Sequence, residues 1–298
     1  MGMSRSRMAG KALRGRSNAA PIPLGEGNDL SVKSPIVTRH GKTFRLHEID
    51  TADDMGLGNK AKAAARMESD LDRLRRLQHL LYADDRYALL VVLQAMDTAG
   101  KDGTIRHVMS GLNPVGCVVT SFKVPTDTER DHDFLWRIHN AIPPRGVIGV
   151  FNRSHYEDVL VPRVHRLVPK KVWKQRYRQI NDFERMLTEN GVELLKCFLH
   201  VSKAEQARRL RERVLDKRKN WKFSEGDLEE RRYWEKYQLA YEDAINECTT
   251  PWAPWHIVPS DKKWVRDSVV ARVMVDKLSS LDLRYPKPPV GLSKMVIR

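Results

Sequence analysis

Residues 87–104 read YALLVVLQAMDTAGKDGT. The apolar run at 87–96 has the length and content of a buried strand. A short loop containing Gly100-Lys101 follows, and a helix-like pattern (TIRHVMSGL) starts at Thr104. Strand, glycine turn, lysine, helix is the layout of a phosphate-binding P-loop, G-x-x-x-x-G-K-[ST]. Backbone N–H groups and the positive helix N-terminus cradle the phosphates, and the lysine reaches the phosphate being transferred. The expected phosphate contacts are Ala99, Gly100, Lys101, Asp102, Gly103 and Thr104. The loop departs from the pattern in three places. Ala95 replaces the first glycine, Asp102 stands where a magnesium-binding hydroxyl belongs, and Asp97 adds a second carboxylate. A phosphate site that carries its own negative charge makes sense when metal ions sit between carboxylates and phosphates.

Outward from this loop, the chain alternates strand and helix patterns. A helical pattern over 53–81 carries Ala64, Met67, Leu71, Leu74, Leu77 and Leu81 on one face. Further strands are expected at 117–124, 147–152, 193–201 and 255–259, with helices at 104–111, 129–140, 170–190 and 203–246. The strands are apolar runs rather than alternating ones, so both sheet faces should be covered. The pattern implies an α/β fold with a five-stranded parallel sheet between helices. Ligands then bind beyond the carboxyl ends of the strands, where the P-loop and Asn152 both fall.

The chain has 298 residues and a net charge of +15. Residues 1–25 hold five Lys/Arg and no acid, which leaves +10 on the remainder. Such an excess points to a polyanionic partner. Residues 1–30 read as a disordered basic tail, with an organelle-targeting peptide as the alternative, and 31–290 as one domain. No apolar run approaches a membrane span. The three cysteines (Cys117, Cys197, Cys248) have neither metal-ligand nor disulfide spacing, which suits a reducing cytoplasm.

Three further segments carry chemistry. FNRSHYEDVLVP (151–162) follows the third strand. An ordinary P-loop enzyme ends that strand in a magnesium-binding aspartate; this chain offers Asn152 and Arg153, then Glu157 and Asp158. Arginine presents a bidentate fork to phosphate. Residues 203–222 hold nine Lys/Arg against three acids, opening on a capping box at Ser202 and Glu205. A helical lid about 203–240, broken at Trp221-Lys222-Phe223, would bring Arg208, Arg209, Arg213 and Arg218 over the phosphates. Residues 163–178 hold seven Lys/Arg and no acid. Cations opposed by carboxylates around one pocket describe phosphoryl transfer.

AMDTAGKDGTIRHV, FNRSHYEDVLVPRVH, FLHVSKAEQARRL, WKFSEGDLEER and APWHIVP, in this order, resemble the type-2 polyphosphate kinase family over about residues 44–286. The Glu157-Asp158 pair is similar to the subgroup acting on nucleoside mono- and diphosphates. The resemblance implies a P-loop kinase fold similar to thymidylate kinase. It implies Mg²⁺-dependent, reversible transfer between inorganic polyphosphate and AMP or ADP, without nucleic acid or membrane as partner, in a dimer or tetramer. Asp97, Lys101 and Asp102 fall on its modified Walker A loop, and Asn152, Arg153, Glu157 and Asp158 on its Walker B region. Asp97 and Asp158 are then the expected metal ligands. Asp97, Lys101, Arg153 and Asp158 become the expected catalytic residues, and Asn152 and Glu157 the nucleotide-specificity residues. The competing readings are an ATP-dependent nucleotide or small-molecule kinase and a nucleic-acid-binding protein.

Overall fold

The computed structural model describes residues 35–292 together with Met295 and Ile297; the expected basic tail lies outside them. Ala88–Ala95 forms strand β2, buried at all eight positions, and it is the centre of the molecule. It is flanked by β4 (Ile148–Asn152) and β5 (Val192–His200), both parallel to it. β6 (Trp255–Pro259) extends the sheet beyond β5, and β3 (Cys117–Ser121) lies beyond β4. These are the five parallel strands expected from the sequence. A sixth, β1 (Ile36–Val37), pairs antiparallel with β6, giving the order β1-β6-β5-β2-β4-β3. Two residues are too few to announce a strand by periodicity. β3 also departs from expectation: as the outermost strand it leaves Val118 and Val119 exposed, at 40% and 46%.

Helices cover the sheet in two groups. On one side α1 (Lys60–Asp84) packs on α10 (Lys263–Ser279), which touches α2 (Lys101–Val108). On the other, α5 (Glu157–Val164), α6 (Lys170–Glu189) and α9 (Trp234–Glu247) pack together. α1 begins at Lys60 rather than near 53, because the Asn59 side chain caps it by accepting from Lys62 N. α2 opens at Lys101, three residues earlier than the apolar pattern suggests. The expected helix at 129–140 is two short turns, α3 (Asp127–Arg130) and α4 (Trp136–His139). The long helix expected at 203–246 is three: α7 (Lys203–Leu215), α8 (Glu225–Arg232) and α9, separated by a 3₁₀ turn at Asn220–Lys222. The break falls at the Trp-Lys-Phe step noted in the sequence. No described helix is long and apolar enough to cross a membrane.

A charged cluster lies inside this apolar core. α6 buries Trp173, Tyr177, Ile180, Phe183 and Leu187, and Glu184 falls on the same stripe. Its carboxylate meets Lys196 of β5, also fully buried, at 2.7 Å. All three ammonium donors are used, on Glu184, the Tyr156 hydroxyl (2.9 Å) and the Cys248 carbonyl (2.7 Å). Tyr156 donates to Glu184 in turn (2.8 Å), and His155 Nε2 lies 3.2 Å away. Burial opposes the Glu184 charge, but Lys196 and His155 outweigh it and hold its pKa below the ordinary value. Removing one member of such a pair leaves an uncompensated buried charge. Lys196→Met is therefore expected to cost about 3–5 kcal/mol, read as a lower urea midpoint at unchanged slope. A loss under about 1 kcal/mol would show that the cluster is not needed for stability.

Candidate active site

The β2–β4 register pairs Leu93 with Asn152, so the carboxyl end of β4 opens beside the P-loop. Asn152 Nδ2 donates to Asp102 Oδ1 at 2.8 Å. Arg153 turns the chain with a left-handed φ of 65°. Its Nη2 donates to Asp97 Oδ1 at 2.9 Å, and its Nη1 lies 3.6 Å from Glu157. The two motifs, 56 residues apart in the chain, thus interlock through paired charges.

The loop itself is held from below. Lys101 Nζ and the Tyr241 hydroxyl both donate to the Ala95 carbonyl, each at 3.0 Å. Arg209 of α7 is buried and donates to the carbonyls of Thr98 (3.0 Å) and Ala99 (2.8 Å). Arg266 of α10, 2% exposed, donates to the Ala99 carbonyl at 3.0 Å. The glycine at 100 follows from this: φ is 112°, and a Cβ there would lie 1.7 Å from Arg266 Nη1. Two buried guanidiniums beneath a helix N-terminus add positive potential where phosphates would lie.

Electrostatic shifts converge on the same place. Burial, then the Arg153 guanidinium, lowers the Lys101 pKa against the opposing pull of Asp97, Glu157 and Asp102. Burial raises Glu157, against Arg153 and Lys101. Glu157 and then Asp97 keep Arg153 charged in spite of its burial. Groups whose pKa values are pushed apart by neighbours in one cleft mark a functional site.

The cleft between loop and lid measures about 870 Å³. The structure brings to it Asp97, Gly100, Lys101, Asp102, Gly103, Asn152, Arg153, Arg209, Arg213 and Arg218. Ten Lys/Arg line it against five carboxylates, so it favours an anion of high charge. The lid is tied to the loop through Gln206, which donates to the Asp97 carbonyl (3.1 Å) and accepts from Arg231 (2.6 Å). Arg213 pairs with Asp227 across the lid hairpin at 2.8 Å.

Other expected site residues fall elsewhere. Ala99 is fully buried, and Thr104, 1% exposed, gives its hydroxyl to Asp267 at 2.9 Å; neither side chain faces the cleft. Arg208 lies outside it, paired with Glu205 and Glu212. Neighbouring helical residues diverge by about 100°, so Arg208 cannot follow Arg209 inward. Asp158 departs from Glu157 for the same reason. Glu157 faces Arg153, whereas Asp158 faces Arg137 (3.6 Å) and Arg176 (3.8 Å) and is not on the cleft wall. The structure therefore does not bring Asp158 beside Asp97 as a shared metal site. Glu157 stands behind Arg153 rather than on the wall.

The basic stretch 163–178 is partly neutralised. Arg163 pairs with Asp243 (2.6 Å) and stacks on Trp173, and Arg176 pairs with Asp158. Arg166, Lys170, Lys171, Lys174 and Arg178 make no ion pair among the described residues. Arg106, His107, Lys263 and Arg266 line the cleft and were not singled out by sequence. Lys263 and Arg266 stand more than 160 residues from the loop, at an ordinary helix start, and no local pattern marks them.

A P-loop on a parallel sheet, faced by a strand-end arginine and closed over by a basic helical lid, defines a P-loop phosphotransferase. The family model for polyphosphate kinase 2 matches residues 58–286, and the chain belongs to that family. It is 50% identical over 255 residues to an AMP/ADP-polyphosphate phosphotransferase of Meiothermus ruber, covering 85% of this chain and 96% of that one. It is 48% identical to an ADP-polyphosphate phosphotransferase of Rhodopseudomonas palustris, covering 78% and 84%. The crystal structure of polyphosphate kinase 2 from Arthrobacter aurescens superposes with a TM-score of 0.83 at 41% identity, over 88% of this chain and 97% of that one.

Proposed function

We propose that the chain transfers a phosphoryl group reversibly between inorganic polyphosphate and AMP or ADP. The observation that carries this reading is the cleft: a P-loop lysine and Arg153 set in about 870 Å³ of mostly cationic lining that also holds Asp97 and Asp102. A linear polyanion needs such a lining, whereas a single nucleotide needs only a compact pocket. The phosphate-transfer relatives described above support the same substrates.

In the transfer, a terminal phosphoanhydride P–O bond of polyphosphate breaks. A new P–O bond forms to the terminal phosphate oxygen of the nucleotide. That acceptor oxygen is already ionised, so no side-chain base is required. Lys101 and Arg153 stabilise charge on the transferred group, and Arg213 supplies a further cation from the lid. Asn152 and Glu157 act on the nucleotide end through Asp102 and Arg153, the groups they contact. Asp158 positions α5 by holding Arg137 and Arg176.

The donor set suits Mg²⁺. No cluster of three or more acidic, His or Cys ligands exists among the described residues, but magnesium uses one or two carboxylates together with substrate phosphates. Asp97 and Asp102 on the cleft wall would be those carboxylates. When bound, the ion neutralises repulsion between the two polyanionic substrates.

The test is ATP formation from long-chain polyphosphate, Mg²⁺ and AMP or ADP by the folded protein. ATP is expected with at least one acceptor, and about a hundred-fold less or worse with Asp97→Asn. No ATP with either acceptor would refute the reading.

A further inference from the structure

We propose that His107, oriented by Asp267, is a binding residue for the polyphosphate chain that takes up a proton when the chain binds. This rests on the cleft being the polyphosphate site. His107 lines that cleft, with its side chain 48% exposed. It lies six residues beyond Lys101 on α2, about 9 Å along the axis. At that distance a later unit of a linear chain, and not the transferred phosphate, would lie beside the ring. The residue that orients it, Asp267, lies on α10, which packs against β5 and β6, while Asn152 ends β4.

The ring is fixed from behind. Asp267 is 3% exposed, and its Oδ2 lies 2.6 Å from His107 Nδ1. Its other oxygen accepts from Thr104 Oγ1 (2.9 Å) and Arg266 Nε (2.8 Å). A carboxylate held this way keeps the proton on Nδ1 and leaves Nε2 as the variable position. No described residue hydrogen-bonds that nitrogen. Unprotonated, Nε2 is an acceptor facing a channel for anions. Protonated, it becomes a charged donor to a phosphate oxygen.

Arg106 on α2, Lys263 and Arg266 on α10, and Arg209 and Lys219 from the lid side are the cations that share this wall of the cleft with the ring. The carboxylates there are Asp267 and Glu212, the latter 3.9 Å from Lys263. α1 packs on α10 where Ser268 Oγ meets the Ala63 carbonyl (3.4 Å), and its first turns hold only Lys60, Lys62 and Arg66. Arrival of a polyanion adds negative charge beside the ring, which favours its protonated form.

The test compares wild type, His107→Gln and His107→Arg between about pH 6 and 8.5. The KM for long-chain polyphosphate is expected to rise about five-fold across this range in wild type. It should stay high and flat in His107→Gln, and low and flat in His107→Arg. The terminal phosphates of the substrate also titrate, but equally for all three proteins. The KM for ADP should follow one course in all three. Calorimetry of polyphosphate binding in two buffers of different ionisation enthalpy should show proton uptake in wild type and none in His107→Gln. Parallel KM curves for wild type and His107→Gln, or equal proton uptake by both, would overturn the inference while leaving the proposed function standing. Absence of ATP formation by wild type itself would instead remove the function on which it rests.

Discussion

Lys101→Ala is expected to lower polyphosphate-driven ATP formation by about a thousand-fold or more, the scale on which removal of a preorganised transition-state charge is felt. The fold should not suffer. Lys101 makes one protein hydrogen bond, to the Ala95 carbonyl, and Tyr241 continues to satisfy that oxygen. Its ammonium is held under protest: burial and Arg153 both lower its pKa. Removing it relieves that cost but also takes one counter-charge from Glu157, whose pKa is already raised. Circular dichroism and thermal unfolding should match wild type within a few degrees, while kcat/KM collapses. Lys101→Arg should not rescue, because a planar fork replaces a compact point charge in a tight loop. A rate within ten-fold of wild type for Lys101→Ala would remove this lysine from the chemistry.

Gly100→Ala is expected to damage both the loop and the fold. At φ 112° any side chain is strained, and the new methyl group would meet Arg266 Nη1 at 1.7 Å and Cζ at 2.6 Å. Arg266 cannot swing into solvent, because it is 2% exposed and bonded to Asp267 and the Ala99 carbonyl. Displacing it strands a buried charge pair, so a loss of about 3–5 kcal/mol is expected together with transfer activity. Gly103→Ala supplies the control. Its Cβ would lie 3.2 Å from Arg266 Nη2, with no positive φ, inside α2. There the gain in helix propensity, up to about 1 kcal/mol, offsets a small shift of the guanidinium. Chemical denaturation of the two variants side by side decides the matter. Equal stability of both would mean that the loop does not lean on Arg266.

Much of the architecture was legible because it depends on local properties of the chain. The strand at 87–96 is a continuous apolar run, and the Gly-Lys step gains its meaning from that strand before it and the helix after it. The break at Trp221-Lys222-Phe223 was visible as lost periodicity, and a 3₁₀ turn occurs there. Even the pairing of the 95–104 loop with Asn152-Arg153 followed from alternation, since parallel strands bring their carboxyl ends together. Helix limits were less legible, because α1 and α2 start where a cap or a loop dictates and not where apolar residues begin.

The side chains that support the loop could not be read in this way. Arg209 looked like one more lid arginine, yet it is buried beneath the loop carbonyls. Asp158 looked like the partner of Asp97, yet one step along a helix turns it toward Arg137 and Arg176. Lys196 has Glu193 three residues before it in the strand, yet Glu193 pairs with Lys277, and Lys196 is neutralised by Glu184 across the packing of α6 on β5. The five parallel strands, the phosphate loop and the surplus of positive charge can be read from the sequence, because all of them depend on residues adjacent in the chain. Tertiary structure alone decided which cations face the cleft and which brace it. That choice depends on burial and on partners up to 167 residues away, and a charge excluded from water must find its counter-charge wherever the packing places it.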